Sequence, residues 1–270
     1  MSNAPRADLT GWTCAPFTGG GYTHDVYRRD PDTPGPGVVL IPEMPGLTPE
    51  VLALGNHLVD NGFTVASPSL YGTPGAASQR PGMVPVMVRG CVTKEFAAFA
   101  TDKKRPVTYF LRALARDLNE STPGKGVGII GQCWSGGFAL AAAVDDVVLA
   151  PVLSQPSLPI GLTAAQRRDP GLSEDELTVV QRRAAEEGLC ALGLRFSEDR
   201  LSPGERFQTL RDRLGDAFEV IEIDSRPGNS GGFGKMAHSV LTLEVRDVEG
   251  QQAYRARERV VQFLKERLTV

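Results

Sequence analysis

Val127-Gly128-Ile129-Ile130-Gly131-Gln132-Cys133-Trp134-Ser135-Gly136-Gly137 runs on without a break into Phe138-Ala139-Leu140-Ala141-Ala142-Ala143. A short apolar run ends in a turn of small residues and reopens at once as an alanine-rich helical pattern. A buried strand that feeds a helix through so tight a turn is strained, and it holds the side chain at the tip out beyond the end of the sheet. The pattern is that of a nucleophile elbow, G-x-S-x-G, with Cys133 in place of the serine and Ser135 in place of the last glycine. The helix opening at Cys133 is expected to aim its free N–H groups at the site, which favours a thiolate and an oxyanion alike.

On either side of the elbow, strand and helix signals alternate. Val38 to Ile41 is a continuous β-branched run of the kind that forms a strand buried on both faces. It ends at Pro42-Glu43-Met44-Pro45-Gly46, after which Thr48 reads as an N-cap with Pro49 at the first helical position. That helix carries Val51, Leu54 and Leu58 on one stripe and stops near Asn61-Gly62. Phe63 to Ala66 is the next strand, closing at Ser67-Pro68-Ser69-Leu70-Tyr71. Before all of these, Trp12 to Phe17 and His24 to Arg29 suit a hairpin or a pair of edge strands.

Residues 72–104 break the rhythm, and so long a segment is expected to be a partly helical lid. A helix follows from Arg105-Pro106 to Leu118, with Tyr109, Leu111, Leu114 and Leu118 expected on its buried face. Past the elbow come a strand at Val147–Leu153 and a polar, helical insertion at 161–188, with Ser173 to Glu176 as a capping box. Further strands are expected at Leu189–Phe196 and Phe218–Ile223, with a helix between them and a last helix from about Gln251 to Leu268. This order predicts a doubly wound, mostly parallel α/β sheet in one domain spanning 1–270, with helices on both faces. Ligands bind such sheets beyond the carboxyl ends of the strands.

Composition narrows the function. The chain has 270 residues, 41% of them hydrophobic, and a net charge of −3, which gives no electrostatic case for nucleic acid or an anionic membrane. No apolar run approaches the roughly 20 residues of a membrane span. The first residues lack the apolar core of a signal peptide, so a cytoplasmic enzyme is the expectation. The four cysteines are scattered, with no C-x-x-C and no zinc-type pairing with histidine. That spacing points to no metal site. Cys14, Cys91 and Cys190 are read as structural, with Cys190 inside an apolar strand.

A nucleophilic thiol needs a base within reach and a third group to orient that base. Of the three histidines, only His238 follows the elbow, on a loop rich in glycine; His24 and His57 precede it. Asp199, at the end of a strand and directly before Leu201-Ser202-Pro203, is the favoured orienting acid, with Glu198 and Asp224 as rivals. Glu43 at the tip of the first central strand is either a solvated turn residue or a carboxylate that faces the thiol and tunes it. The backbone N–H groups of Met44 and Trp134 are the expected oxyanion donors. Trp134, Tyr71, Arg89 and Phe233 are candidates for the substrate pocket.

These pieces together resemble the dienelactone hydrolase family of α/β-hydrolases. The residues that carry the resemblance are the Cys133 elbow with Gly136-Gly137, Pro42-Glu43-Met44-Pro45-Gly46, Ser67-Pro68-Ser69-Leu70-Tyr71, Glu198-Asp199-Arg200-Leu201-Ser202-Pro203 and Ala237-His238-Ser239. The resemblance implies an α/β-hydrolase fold, a Cys-Asp-His triad without cofactor, and hydrolysis of a small ester or lactone through an acyl-thioester. It also implies that Glu43 contacts Cys133 in the resting site. One position departs from it. Four residues after the histidine, where the family's archetype has an arginine that grips the substrate carboxylate, this chain has Thr242. A buried carboxylate without its charge partner loses on the order of a few kcal/mol, which argues against dienelactone itself as the substrate. Acyl transfer or cyclisation from the same acyl-enzyme, or a silent binding module, are the alternative functions, and the chain is expected to act as a monomer or homodimer.

Overall fold

Val38, Val39, Leu40 and Ile41 have no solvent exposure at all, as a strand covered on both faces requires. In the computed structural model, which describes residues 8–77, 96 and 99–269, they form β3 (Gly37–Ile41) near the middle of an eight-stranded sheet. The strands before it, β1 (Thr13–Gly19) and β2 (Tyr22–Arg29), make an antiparallel hairpin at one edge. After it come β4 (Thr64–Pro68), β5 (Val127–Gln132), β6 (Val148–Ser154), β7 (Ala191–Phe196) and β8 (Phe218–Ile223). The spatial order is β1-β2-β4-β3-β5-β6-β7-β8, and every pairing from β4 to β8 is parallel.

This order fixes where a site can form. From β3 the chain moves outward to β4, then returns to lay β5 on the other side of β3 and proceeds to the far edge. The winding therefore reverses between β3 and β5, and the crevice beyond their carboxyl ends is the topological switch point. The turn containing Glu43 follows β3, and Cys133 follows β5.

Helices cover both faces. The helices α1 (Pro49–Asp60) and α7 (Gln252–Leu268) enclose a core with Leu54, Leu58, Val260, Phe263 and Leu264. On the opposite face, α2 (Pro106–Glu120), α3 (Gly136–Ala142), α5 (Glu174–Glu187) and α6 (Gly204–Leu214) enclose Leu111, Leu114, Phe138, Leu140, Leu177 and Phe207. Thr48 caps α1 through the Val51 N–H, and Ser173 with Glu176 forms the capping box of α5. The 161–188 stretch is thus helical, as α4 (Ala164–Arg168) and α5. No described helix is long and apolar enough to cross a membrane.

Three local expectations change. Tyr109 is exposed, because the buried stripe of α2 runs through Val107, Phe110, Leu111, Leu114 and Leu118; its ring lies under the Arg112 guanidinium instead. The helix after the elbow opens as a 3₁₀ turn at Cys133–Ser135 and then gives only the seven residues of α3. Cys190 precedes β7 and is partly exposed, packing at the margin of the core. Most of the expected 72–104 lid, with Arg89 and Cys91, lies outside the described residues.

Candidate active site

The elbow is built by close packing. Cys133 has φ of +50°, in the left-handed region that a side-chain-bearing residue enters only under constraint. The constraint comes from its neighbours: a Cβ on Gly136 would stand 2.5 Å from the Cα of Pro156, so the turn can press against the next loop only with glycine there. Ser135 has a use of its own. Its fully buried hydroxyl accepts the Gln132 N–H at 2.9 Å and has the Pro42 carbonyl at 3.1 Å, tying the elbow to the turn after β3. The Ser157 N–H donates to the Cys133 carbonyl at 2.8 Å and fixes the elbow from the β6 side.

Topology brings two further loops to this edge. Asp199, in the turn after β7, is 6% exposed, and its Oδ2 lies 2.7 Å from His238 Nδ1. Its Oδ1 accepts the N–H groups of Leu201 (2.9 Å) and Ser202 (3.3 Å), so one oxygen shapes the loop while the other holds the imidazole. Buried Arg195 braces the same loop, donating to the carbonyls of Ser197 and Ser202 and pairing with Glu222. The rival Asp224 has another partner, Arg226, which holds it to about pKa 2.

His238 Nε2 is buried, and no described group meets it in full hydrogen-bond alignment. Cys133 lies close enough to act on the ring all the same, so thiol and imidazole are in near approach and not in a closed hydrogen bond. Burial opposes the charged imidazolium, yet the Cys133 sulfur together with the hydrogen bond and charge of Asp199 outweighs it, and His238 is held well above its ordinary value.

Glu43 is 5% exposed and meets a different set of groups. Its Oε2 accepts from Ser239 Oγ (2.8 Å) and Gln155 Nε2 (3.3 Å), and its Oε1 accepts from Thr242 Oγ1. None of these bonds goes to Cys133; the carboxylate reaches the loop that carries His238 instead. Burial pushes its pKa up, against the bonds from Thr242, Ser239 and Gln155 and the charge of His238. Gln155, Ser239 and Thr242 as carboxylate partners, and Arg195 as a loop brace, were not legible beforehand; the one visible signal was Ser154-Gln155, polar and directly after an apolar strand.

The expected pocket residues divide. The Tyr71 hydroxyl donates to the Pro42 carbonyl, and burial together with the charges of Cys133 and Glu43 keeps the phenol well above its ordinary value, hence neutral. Trp134 is 4% exposed with its indole N–H lacking an acceptor among the described residues. Phe233 is buried in the core on the α1 and α7 side, with its ring 4.9 Å from that of Phe196, and does not join Cys133. Arg89 lies outside the described residues. Neither the Met44 N–H nor the Trp134 N–H has a turn or side-chain acceptor among the described residues. Among those residues no group of three or more His, Cys, Asp or Glu side chains could hold a metal ion.

The sequence matches the model of the dienelactone hydrolase family over residues 25–268. The chain belongs to that family. It is a hydrolase of the ester- and lactone-cleaving kind. No curated protein sequence matches it significantly. Among solved structures, a Klebsiella pneumoniae protein assigned to the dienelactone hydrolases is similar at a TM-score of 0.63 and 17% identity, over 94% of this chain and 99% of the other. A dienelactone hydrolase from Anabaena variabilis gives 0.62 and 14%, over 95% and 98%. A dienelactone hydrolase-like promiscuous phosphotriesterase from metagenomic libraries gives 0.62 and 17%, also over 95% and 98%. At such identities these neighbours establish the α/β-hydrolase fold and leave the chemistry to be argued from this site.

Proposed function

We propose that this dienelactone hydrolase family member cleaves a small carboxylic ester or lactone through an acyl-thioester on Cys133. The observation that carries the reading is His238, tied to Asp199 at 2.7 Å through Nδ1 while its buried Nε2 has no described partner and the strained Cys133 lies near the ring. In the first half-reaction the thiol proton passes to His238, the sulfur attacks the carbonyl carbon, and the C–O bond to the leaving group breaks as His238 returns the proton to that oxygen. In the second, His238 takes a proton from water, hydroxide adds to the thioester, and the C–S bond breaks to release the acid and restore the thiol. Asp199 keeps the imidazole in the tautomer with its proton on Nδ1 and offsets the positive charge. The N–H groups of Met44 and Trp134 are the donors we assign to the oxyanion.

Intact-protein mass spectrometry after mixing with a slow p-nitrophenyl ester tests this. Wild type gains the mass of one acyl group, and Cys133→Ala gains none, with turnover lower by on the order of 10⁴-fold or more. Undiminished turnover in Cys133→Ala overturns the mechanism.

A further inference from the structure

Gln155 stands one residue beyond β6 with φ of +34°, in the left-handed region, and has no solvent exposure. Glycine would relieve that backbone at no steric cost, so the side chain is the feature to explain. Both ends of its amide are engaged. The Nε2 group donates to Glu43 Oε2 at 3.3 Å, and Oε1 accepts the Val240 N–H at 3.3 Å and the Ser154 hydroxyl. Its own N–H is anchored on the Leu194 carbonyl at 2.7 Å. Ser239 and Thr242 bond to the same Glu43 carboxylate. The amide therefore closes a ring through three segments: the turn after β3, the tip of β6 and the loop that presents His238.

We propose that Gln155 is a positioning residue, which locks Glu43 and the His238 loop into one unit so that the imidazole stays aimed at Cys133. The proposal rests on the triad reading above. His238 is gripped at its ring by Asp199, and the two residues that follow it are held from the other strands, Ser239 by Glu43 and the Val240 N–H by Gln155. Filling space would need only an unbranched apolar side chain. An amide is required because one neighbour is a carboxylate that needs a donor and the other an N–H that needs an acceptor.

Gln155→Glu separates these roles. One oxygen still accepts from Val240 and Ser154, while the other now faces Glu43 with no proton between them unless the pair takes one up. The titratable groups that feel this pair are His238 and Tyr71, with Cys133 and Asp199 behind them. We expect kcat/KM of Gln155→Glu to be about 10- to 100-fold below wild type near pH 8, with the ratio to wild type rising toward about pH 6 as the carboxyl pair shares a proton. Taking the ratio cancels the titration common to both enzymes. The exchange Glu43→Gln with Gln155→Glu restores one amide against one carboxylate and should recover about tenfold over Gln155→Glu alone near pH 8. Gln155→Met, which keeps the packing, should lower kcat by about tenfold with a smaller change in KM and a slowed acylation of Cys133. A pH-independent ratio for folded Gln155→Glu, no recovery in the exchange, or wild-type kcat in Gln155→Met each overturns the assignment. Absence of any acyl adduct on wild-type Cys133 would instead be a failure of the proposed function, seen before any Gln155 variant is made.

Discussion

Asp199 after β7 and Glu43 after β3 are two carboxylates of nearly equal burial, 6% and 5% exposed, and both bond to the loop that carries His238. Asp199 leaves one oxygen for the imidazole Nδ1 and gives the other to two N–H groups of its own turn. Glu43 has both oxygens taken by neutral donors, two hydroxyls and an amide, and its pKa is pushed up by burial. Burial alone therefore does not assign a carboxylate its role. Under the proposed function, the acid that meets a group able to carry positive charge would orient the base, and the acid that meets only hydroxyls and an amide would hold the framework.

Asp199→Asn is the most severe test of that division. It keeps the shape and the bonds to Leu201 and Ser202, yet an amide facing Nδ1 favours the wrong tautomer, and kcat should fall by about 10³- to 10⁴-fold with the fold retained. Steady-state kinetics alongside a thermal melt checks both halves. If Asp199→Asn retains activity within a few-fold while Glu43→Gln is dead, the two roles are reversed.

How much of this was readable follows from sequence distance. The elbow was legible because its requirements lie within a few residues: an apolar strand, a small-residue turn and an alanine-rich run. The parallel sheet followed from β-branched runs such as Val38–Ile41, and its winding put Cys133, Asp199 and His238 at one edge. The partners of Glu43 were out of reach, since Gln155, Ser239 and Thr242 lie 112, 196 and 199 residues away and no local pattern encodes such pairings. Phe233 misled for a related reason. It sits in a glycine-rich loop before His238, but Asn229 clamps its backbone at both N–H and carbonyl while its ring packs on Phe196.

Glu43→Gln sharpens the comparison from the other side. The change is isosteric, and if Glu43 acts through the framework, kcat should drop by only about tenfold. Stability gives a signed test. Because Glu43 is raised above its ordinary 4.5, the folded protein keeps a proton that the unfolded chain has lost. Wild-type stability therefore falls as pH rises from the ordinary value through the raised one, and this contribution is flat beyond it. Glu43→Gln removes that slope, so denaturant titrations at several pH values should show the variant gaining on wild type as pH rises. Wild type gaining on the variant as pH rises would instead mean that the carboxylate is stabilised as an anion.

Thr242→Val is the smallest change and isolates one of the neutral donors. Valine has the shape of threonine without the hydroxyl that donates to Glu43 Oε1, and the site is only 8% exposed. Loss of that donor should cost about 1 kcal/mol of stability, since a buried acceptor loses a partner, with little change in kcat. The bond favours ionised Glu43, so its removal pushes the carboxyl further up. The penalty should accordingly be larger at alkaline than at acid pH, where a protonated carboxyl depends less on its donors. Equal losses at both ends of the range would mean that Thr242 serves the packing of the His238 loop and not the charge of Glu43. The contrast between the two carboxylates would then rest on Ser239 and Gln155 alone.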